Sequence, residues 1–299
     1  MVRKTLLPAL LLAALACTSP ARAEDAAHAS EAQLVQSLHP VTGTVDIPGA
    51  QAKLKLADGY SFLRATDAQR VLTQLWGNPP DADVLGMILP GTDPHVVLEE
   101  NNWAVVVTFV DEGYVSDGDA AKIDYNDMLK DMQDAAKDEN AERLKEGYSA
   151  VELMGWAEPP HYDAATHKLY WARDLKFSKA NGEEEGRTLN YAIRVLGRKG
   201  YLSLNAVAPI GELAQVRADM PAVVEMADFD PGQRYTDYNA STDKAAAYGI
   251  AALVAGGIAA KAGLFAKLGL MLLAFKKFVV LGIAAVGGAL SRLFKRKQA

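Results

Sequence analysis

The sequence predicts an α+β fold: an antiparallel sheet covered by helices, followed by a C-terminal helical membrane segment. Three observations lead there. Four strand-like runs, at roughly 149–157, 167–178, 187–197 and 200–208, succeed one another on short turns. Such runs pair as antiparallel neighbours, whereas a doubly wound sheet would alternate strands with helices. Helix signals lie outside this block, at 119–143 and 210–220. The last stretch, 245–299, holds no Asp or Glu. With 299 residues, half of them hydrophobic and 23% charged, the chain has material for a sizeable core and is not a disordered composition.

The charge is divided sharply. All 37 acidic residues and 20 of the 31 bases lie within 24–244, which gives that region a net charge of −17. Eight bases and no acid lie in 245–299. This split points to two solvents, water for the first region and lipid for the second. A domain so acidic repels nucleic acid and anionic lipid, so nucleic acid is excluded as a partner.

Residues 1–23 read as a signal peptide. Arg3-Lys4 opens it, Leu6–Ala16 is its apolar run, and Ala21-Arg22-Ala23 is a small-x-small cleavage site before Glu24. The apolar run is too short to span a bilayer. Cys17, the lone cysteine, raises lipidation as an alternative, but Ala14-Leu15-Ala16 lacks the order that processing needs. Cleavage after Ala23 leaves a cysteine-free chain, compatible with an oxidising compartment.

The exported domain is expected over 24–235. Thr42–Ile47 and Lys53–Ala57 read as short strands around Pro48-Gly49. Thr66-Asp-Ala-Gln69 has capping-box spacing and opens a helix with Val71, Leu72, Leu75 and Trp76 on one side, stopped at Gly77-Asn78-Pro79-Pro80. Trp103–Val110 is apolar on both faces, the mark of a covered central strand. In Asp119–Arg143, Tyr125, Met128, Met132 and Ala135 recur with helical period. Leu169, Trp171, Leu175 and Phe177 alternate but are broken by Arg173, while Leu189, Tyr191, Ile193 and Val195 alternate cleanly. Gly197-Arg-Lys-Gly200 signals a tight hairpin. A helix from Ile210 is expected to stop at Pro221.

Residues 236–244 read as a polar linker to the membrane, 245–294 as transmembrane or membrane-associated helices, and 295–299 as a basic tail. Ala245–Ala266 is long enough to span if Lys261 snorkels, and Phe278–Phe294 is a short span or an interfacial helix. Gly249, Gly256 and Gly263 would form a smooth helix-packing face in the membrane, for a partner protein or self-association. The expected location is the inner (cytoplasmic) membrane, with 24–244 in the periplasm or outside the cell.

Several motifs carry a resemblance. They are Gly113-Tyr-Val-Ser-Asp117, Gly155-Trp-Ala-Glu-Pro-Pro-His-Tyr162, His167-Lys-Leu-Tyr-Trp-Ala172, Thr188-Leu-Asn-Tyr-Ala-Ile-Arg-Val-Leu-Gly197 and Tyr248-Gly-Ile-Ala-Ala-Leu-Val-Ala-Gly-Gly257. Together they resemble a bacterial family of membrane-anchored proteins catalogued as domain of unknown function number 2167. The resemblance implies an exported domain with a C-terminal anchor and brings no catalytic residues. The order of strands and helices also resembles the sheet fold of the extrinsic photosystem proteins, and a shared fold does not give function.

Chemistry is thinly written. The sequence has no nucleophile elbow, zincin motif, P-loop or dinucleotide fingerprint, and no cofactor or metal is expected. Asp237-Tyr-Asn239-Ala-Ser241-Thr-Asp243 starts like a calcium loop but has Thr242 and Tyr248 where Gly and Glu belong. The candidate ligand pocket is the stretch 155–174, where Trp156, Glu158, His161, Tyr170, Arg173 and Asp174 put acids and bases beside aromatics. The plainer reading is a Pro-Pro turn with core aromatics and an Arg173–Asp174 surface pair. Three functions compete: a non-enzymatic binding or assembly module of the envelope, an envelope hydrolase using 155–174, and a membrane-active cationic tail.

Overall fold

The computed structural model describes residues 30–255, apart from 79, 100 and 146. The chain divides into two compact units, one ending at Ser37 and one beginning at Leu38. In the first unit residues 30–36 are helical.

The centre of the second unit is a seven-stranded antiparallel sheet. The strands are β3 (Tyr60–Arg64), β4 (Val84–Pro90), β5 (Ala104–Val110), β7 (Ala150–Asp163), β8 (Lys168–Ser178), β9 (Glu184–Leu196) and β10 (Tyr201–Pro209), in the order β3-β4-β5-β10-β9-β8-β7. The four expected strands are thus β7–β10, and they run in sequence order across half the sheet. The Trp103–Val110 expectation also holds: β5 is interior, and Ala104–Thr108 are buried whichever face they point to.

Period-two alternation assigns the faces. On one face, Leu189, Tyr191, Ile193 and Val195 of β9 join Leu202, Leu204, Ala206 and Ala208 of β10 in the main core. That face is covered by helix α3 (Leu213–Met226) and by a three-stranded sheet of β1 (Thr44–Ile47), β2 (Ala52–Lys55) and β11 (Ala227–Phe229). On the opposite face, helix α2 (Tyr125–Lys145) packs Leu129 and Met132 on Val151, Leu153, Leu175 and Phe177. Helices therefore lie on both faces.

Several boundaries differ from the sequence reading. The Thr66–Gln69 capping box does not form. Helix α1 (Ala65–Arg70) is preceded by Arg64 and has no side-chain cap. Asp67 instead accepts the His39 N–H at 2.9 Å, and Gln69 donates to the Asp81 carbonyl. Local spacing lost to longer-range partners. The long helix begins after Asp124, whose carboxylate accepts the N–H groups of Asn126 and Asp127 at 2.9 and 3.1 Å. Pro221 does not stop α3, which runs on to Met226. Val216, Met220, Val223 and Met226 bury one stripe on both sides of the proline, and that burial outweighs the lost backbone bond.

The expected linker 236–244 is held against the domain. Tyr235–Asp237 form a turn of 3-10 helix, and Arg198 grips the Asp243 carboxylate with two hydrogen bonds of 2.7 and 2.9 Å. The segment expected to enter the membrane at Ala245 begins instead with strand β12 (Ala245–Gly249), paired in parallel with β6 (Tyr114–Ser116). Helix α4 (Ile250–Ala255) follows, with Ile250, Leu253 and Val254 buried against Leu169, Trp171, Leu196 and Tyr201. Gly113 allows this return. Its φ is +104°, and a Cβ there would come within 2.7 Å of the Lys244 carbonyl oxygen. Among the described residues no helix is long and apolar enough to cross a membrane. The remaining expectations, for 1–23, 256–294 and 295–299 with Gly256 and Gly263, lie outside the described residues.

Candidate functional site

The stretch 155–174 becomes the hairpin β7–β8 at one end of the large sheet. Pro159 and Pro160 fit there because β7 is an edge strand, where a missing N–H costs no ladder bond. The edge is partly closed by α2. The Asn140 side-chain amide accepts the Val151 N–H at 2.7 Å and donates to its carbonyl at 3.0 Å, as a neighbouring strand would.

The hairpin does not gather the six candidate residues into one pocket. Its register shifts three times between Leu153 and His161, and each bulge resets which face a side chain takes. Trp156 pairs with Arg173 on the α2–α4 face, where the Trp156 Nε1 donates to the Tyr125 carbonyl at 3.1 Å. Glu158 pairs with Ala172 and His161 with Tyr170 on the α3 face. There Glu158 meets Arg217 at 3.4 Å, and the His161 ring lies 5.1 Å from Tyr170. The expected Arg173–Asp174 pair does not form. Consecutive strand residues face opposite ways, and Asp174 takes two hydrogen bonds from Arg187, one of 3.1 Å.

His161 and His167, near in sequence, also part. His167 lies over Tyr235, ring centroids 4.2 Å apart, with φ +54°. Its Nδ1 is 3.1 Å from the Tyr162 hydroxyl, which donates to Asp117 at 2.8 Å. Burial and that carboxylate push the Tyr162 hydroxyl far above its ordinary range, so it is a donor and not a base. The group fastens the hairpin tip to β6. On the α3 face, the Lys168 ammonium donates to the Val224 carbonyl at 2.7 Å, in the last turn of α3. Burial lowers its pKa. The calcium-like loop is also internally satisfied: Asp243 accepts from Arg198 and from the Asn239 N–H. Among the described residues no three His, Cys, Asp or Glu side chains converge on a metal position.

The face beneath α4 is different. Arg173 and Arg194 both lie over the Trp171 indole, their guanidinium carbons 5.7 and 5.0 Å from its centroid. Arg194 also lies 5.8 Å over Tyr201. One Arg173 nitrogen donates to the Val254 carbonyl at 2.7 Å, and one Arg194 nitrogen to the Ile193 carbonyl at 2.9 Å. Neither has a carboxylate partner among the described residues. Burial and the neighbouring Arg194 pull Arg173 down to about 10, still charged at neutral pH. Trp171 is fully buried, and neither its Nε1–H nor the Arg173 Nε–H has a partner among the described residues. Thr108, Thr188, Asn190, Ser203 and Asn205, buried and polar, point to the same face.

Of this group the sequence points only to Arg173 as a site residue. The available signal was the break it makes in the alternation of β8. Arg194 carried a weaker form of that signal, as a base on the second face of a strand whose first face alternates cleanly.

The profile of the family described as "Protein of unknown function (DUF2167)" matches residues 39–287. The chain belongs to this family. The match starts close to the second compact unit and includes the resemblance-bearing motifs at 113–117, 155–172, 188–197 and 248–257. No curated protein matches the chain. Among solved structures, the chain is similar to the solution structure of cyanobacterial PsbP (CyanoP) from Synechocystis sp. PCC 6803. That match has 10% identity and a TM-score of 0.34, covering 65% of this chain and 93% of that one. It is also similar to the crystal structure of LpqN, involved in cell envelope biogenesis of Mycobacterium tuberculosis. There identity is 14% and the TM-score 0.29, with 67% and 96% of the two chains covered.

Proposed function

We propose that this member of the DUF2167 family is an exported binding module of the bacterial envelope, tethered to a membrane by the stretch after α4, and not an enzyme. The observation that carries the binding reading is the sheet face under α4. Beside the Arg194 guanidinium it holds an Arg173 Nε–H and a Trp171 indole N–H that find no acceptor among the described residues. Buried donors without acceptors cost about 1–3 kcal/mol each, so a domain that keeps them there has a use for them. The tether reading rests on sequence. Residues 256–299 contain eight bases, no acid and long apolar runs. They continue from a helix packed into the core, which makes the tether start at a fixed point on the domain.

The test is fractionation of the full chain beside a chain ending at Ala255. Ending at Lys244 would strip β12 and α4 and expose Leu169 and Trp171. The full chain is expected in the membrane fraction and resistant to alkaline carbonate. The shortened one is expected to be soluble, with near-UV circular dichroism showing an intact fold. A full chain released by carbonate overturns the tether. Crosslinking of both forms in cells then shows whether a stoichiometric membrane partner, or self-association, depends on 256–299.

A further inference from the structure

Of the four buried side-chain polar atoms without a partner among the described residues, three lie on one face of the large sheet: Trp171 Nε1, Arg173 Nε and Thr188 Oγ1. Two of these are donors beside a cation. Cross-strand register puts them in one patch, with Trp171 opposite Ala192, Arg173 opposite Asn190 and Leu169 opposite Arg194. The guanidiniums of Arg173 and Arg194 share the Trp171 indole, so two positive charges stand side by side with no ion-pair partner among the described residues.

Like charges in a partly desolvated place repel, and an unpaired buried charge is among the costlier features a fold can hold. A buried water could accept from the indole N–H, but it brings no charge to offset the pair. Nor can the following chain supply a side-chain counter-charge, because 256–299 has no Asp or Glu. Among the described residues nothing offsets the pair, and an anion from another molecule would. Both arginine residues keep part of their surface exposed, whereas Trp171 lies fully buried between them and the core.

We infer that Arg173, Arg194 and Trp171 form a binding site for a phosphate monoester group. This rests on the binding reading above and names its ligand chemistry. Two guanidiniums call for about two negative charges, and a phosphate monoester carries about −1.5 to −2 at neutral pH, against −1 for a carboxylate or a phosphodiester. Its three terminal oxygens accept the fork of each arginine and the indole N–H together. The net charge of −17 over 24–244 repels an anionic bilayer, which favours a soluble phosphate monoester over a lipid headgroup as the source.

The experiment is titration calorimetry on the full chain in neutral detergent, with inorganic phosphate, glycerol 3-phosphate and acetate as probes. A parallel arm uses vesicles of phosphatidylcholine with and without phosphatidic acid. Three variants accompany the parent: Trp171→Phe, which keeps the buried ring and removes the N–H, Arg194→Gln and Arg173→Gln. The expected result is binding of phosphate and glycerol 3-phosphate in preference to acetate. Affinity should fall about tenfold or more in each variant that folds, the size of one charge-assisted hydrogen bond. Arg173→Gln loosens the hold on Val254 and is judged only if its near-UV spectrum is native; Trp171→Phe stands without it. Binding confined to phosphatidic acid vesicles, and lost in the same variants, supports the site and assigns the headgroup as the source. No phosphate binding in either arm, acetate bound as tightly, or full affinity in Trp171→Phe and Arg194→Gln overturns the inference. Membrane fractionation is unmoved by these substitutions, so failure here and failure of the tether are separable.

Discussion

The carboxylate of Asp119 occupies the space that a side chain on Gly249 would need. A Cβ on Gly249 would fall 2.7 Å from both carboxylate oxygens. Those oxygens accept the N–H groups of Ile250 and Ala251 at 3.0 Å each, capping α4 from a distant part of the chain. The small residue that would smooth a membrane helix is required instead for a cap. Gly249→Ala is expected to destabilise the domain by about 1–3 kcal/mol, the usual cost of overpacking. Asp119→Ala loses the cap, at about 1 kcal/mol. In the double variant the two losses should be less than additive, because the clash disappears with the carboxylate. Denaturant unfolding of the four proteins checks this, and strict additivity would contradict the geometry.

Pro221 sits inside α3, where proline costs about 3 kcal/mol relative to alanine. Against that, proline restricts the unfolded chain by up to about 1 kcal/mol. Pro221→Ala is therefore expected to stabilise the domain by up to about 2 kcal/mol, read as a higher denaturant midpoint at unchanged m.

Asp243 is held well below the ordinary carboxylate range by its hydrogen bonds from Arg198 and from the Asn239 N–H. A folded-state pKa below the unfolded value means that the unfolded chain takes up protons first as pH drops. The stabilisation is therefore complete above about pH 4 and lost as pH falls below it. Asp243→Asn should flatten the acid limb of a stability–pH curve. It should also raise hydrogen exchange in 236–249 at neutral pH relative to the parent.

The Tyr162 hydroxyl serves both Asp117 and His167. Tyr162→Phe keeps the ring and leaves these two groups to water, at an expected cost of about 1 kcal/mol. The loss should appear in thermal unfolding as a lower Tm.

The sequence by itself determined the α+β class, the run of four antiparallel strands, the covered β5 and the charge split between 24–244 and the tail. These follow from period, composition and short turns, which act over a few residues. Only the tertiary structure decided how the faces are shared. The bulges of β7 send Trp156 to one side and Glu158 with His161 to the other, and no local pattern fixes where a strand slips. It also decided that Pro221 stays helical, because burial on both sides outweighs one backbone bond. Ala245–Ala255 are apolar enough for lipid, yet they close the core over Leu169 and Trp171, because that surface and the Asp119 carboxylate were waiting in the fold. Arg194 joined Arg173 by the same means: two strands in register placed both guanidiniums over one indole, a distance relation that exists only after the sheet has formed.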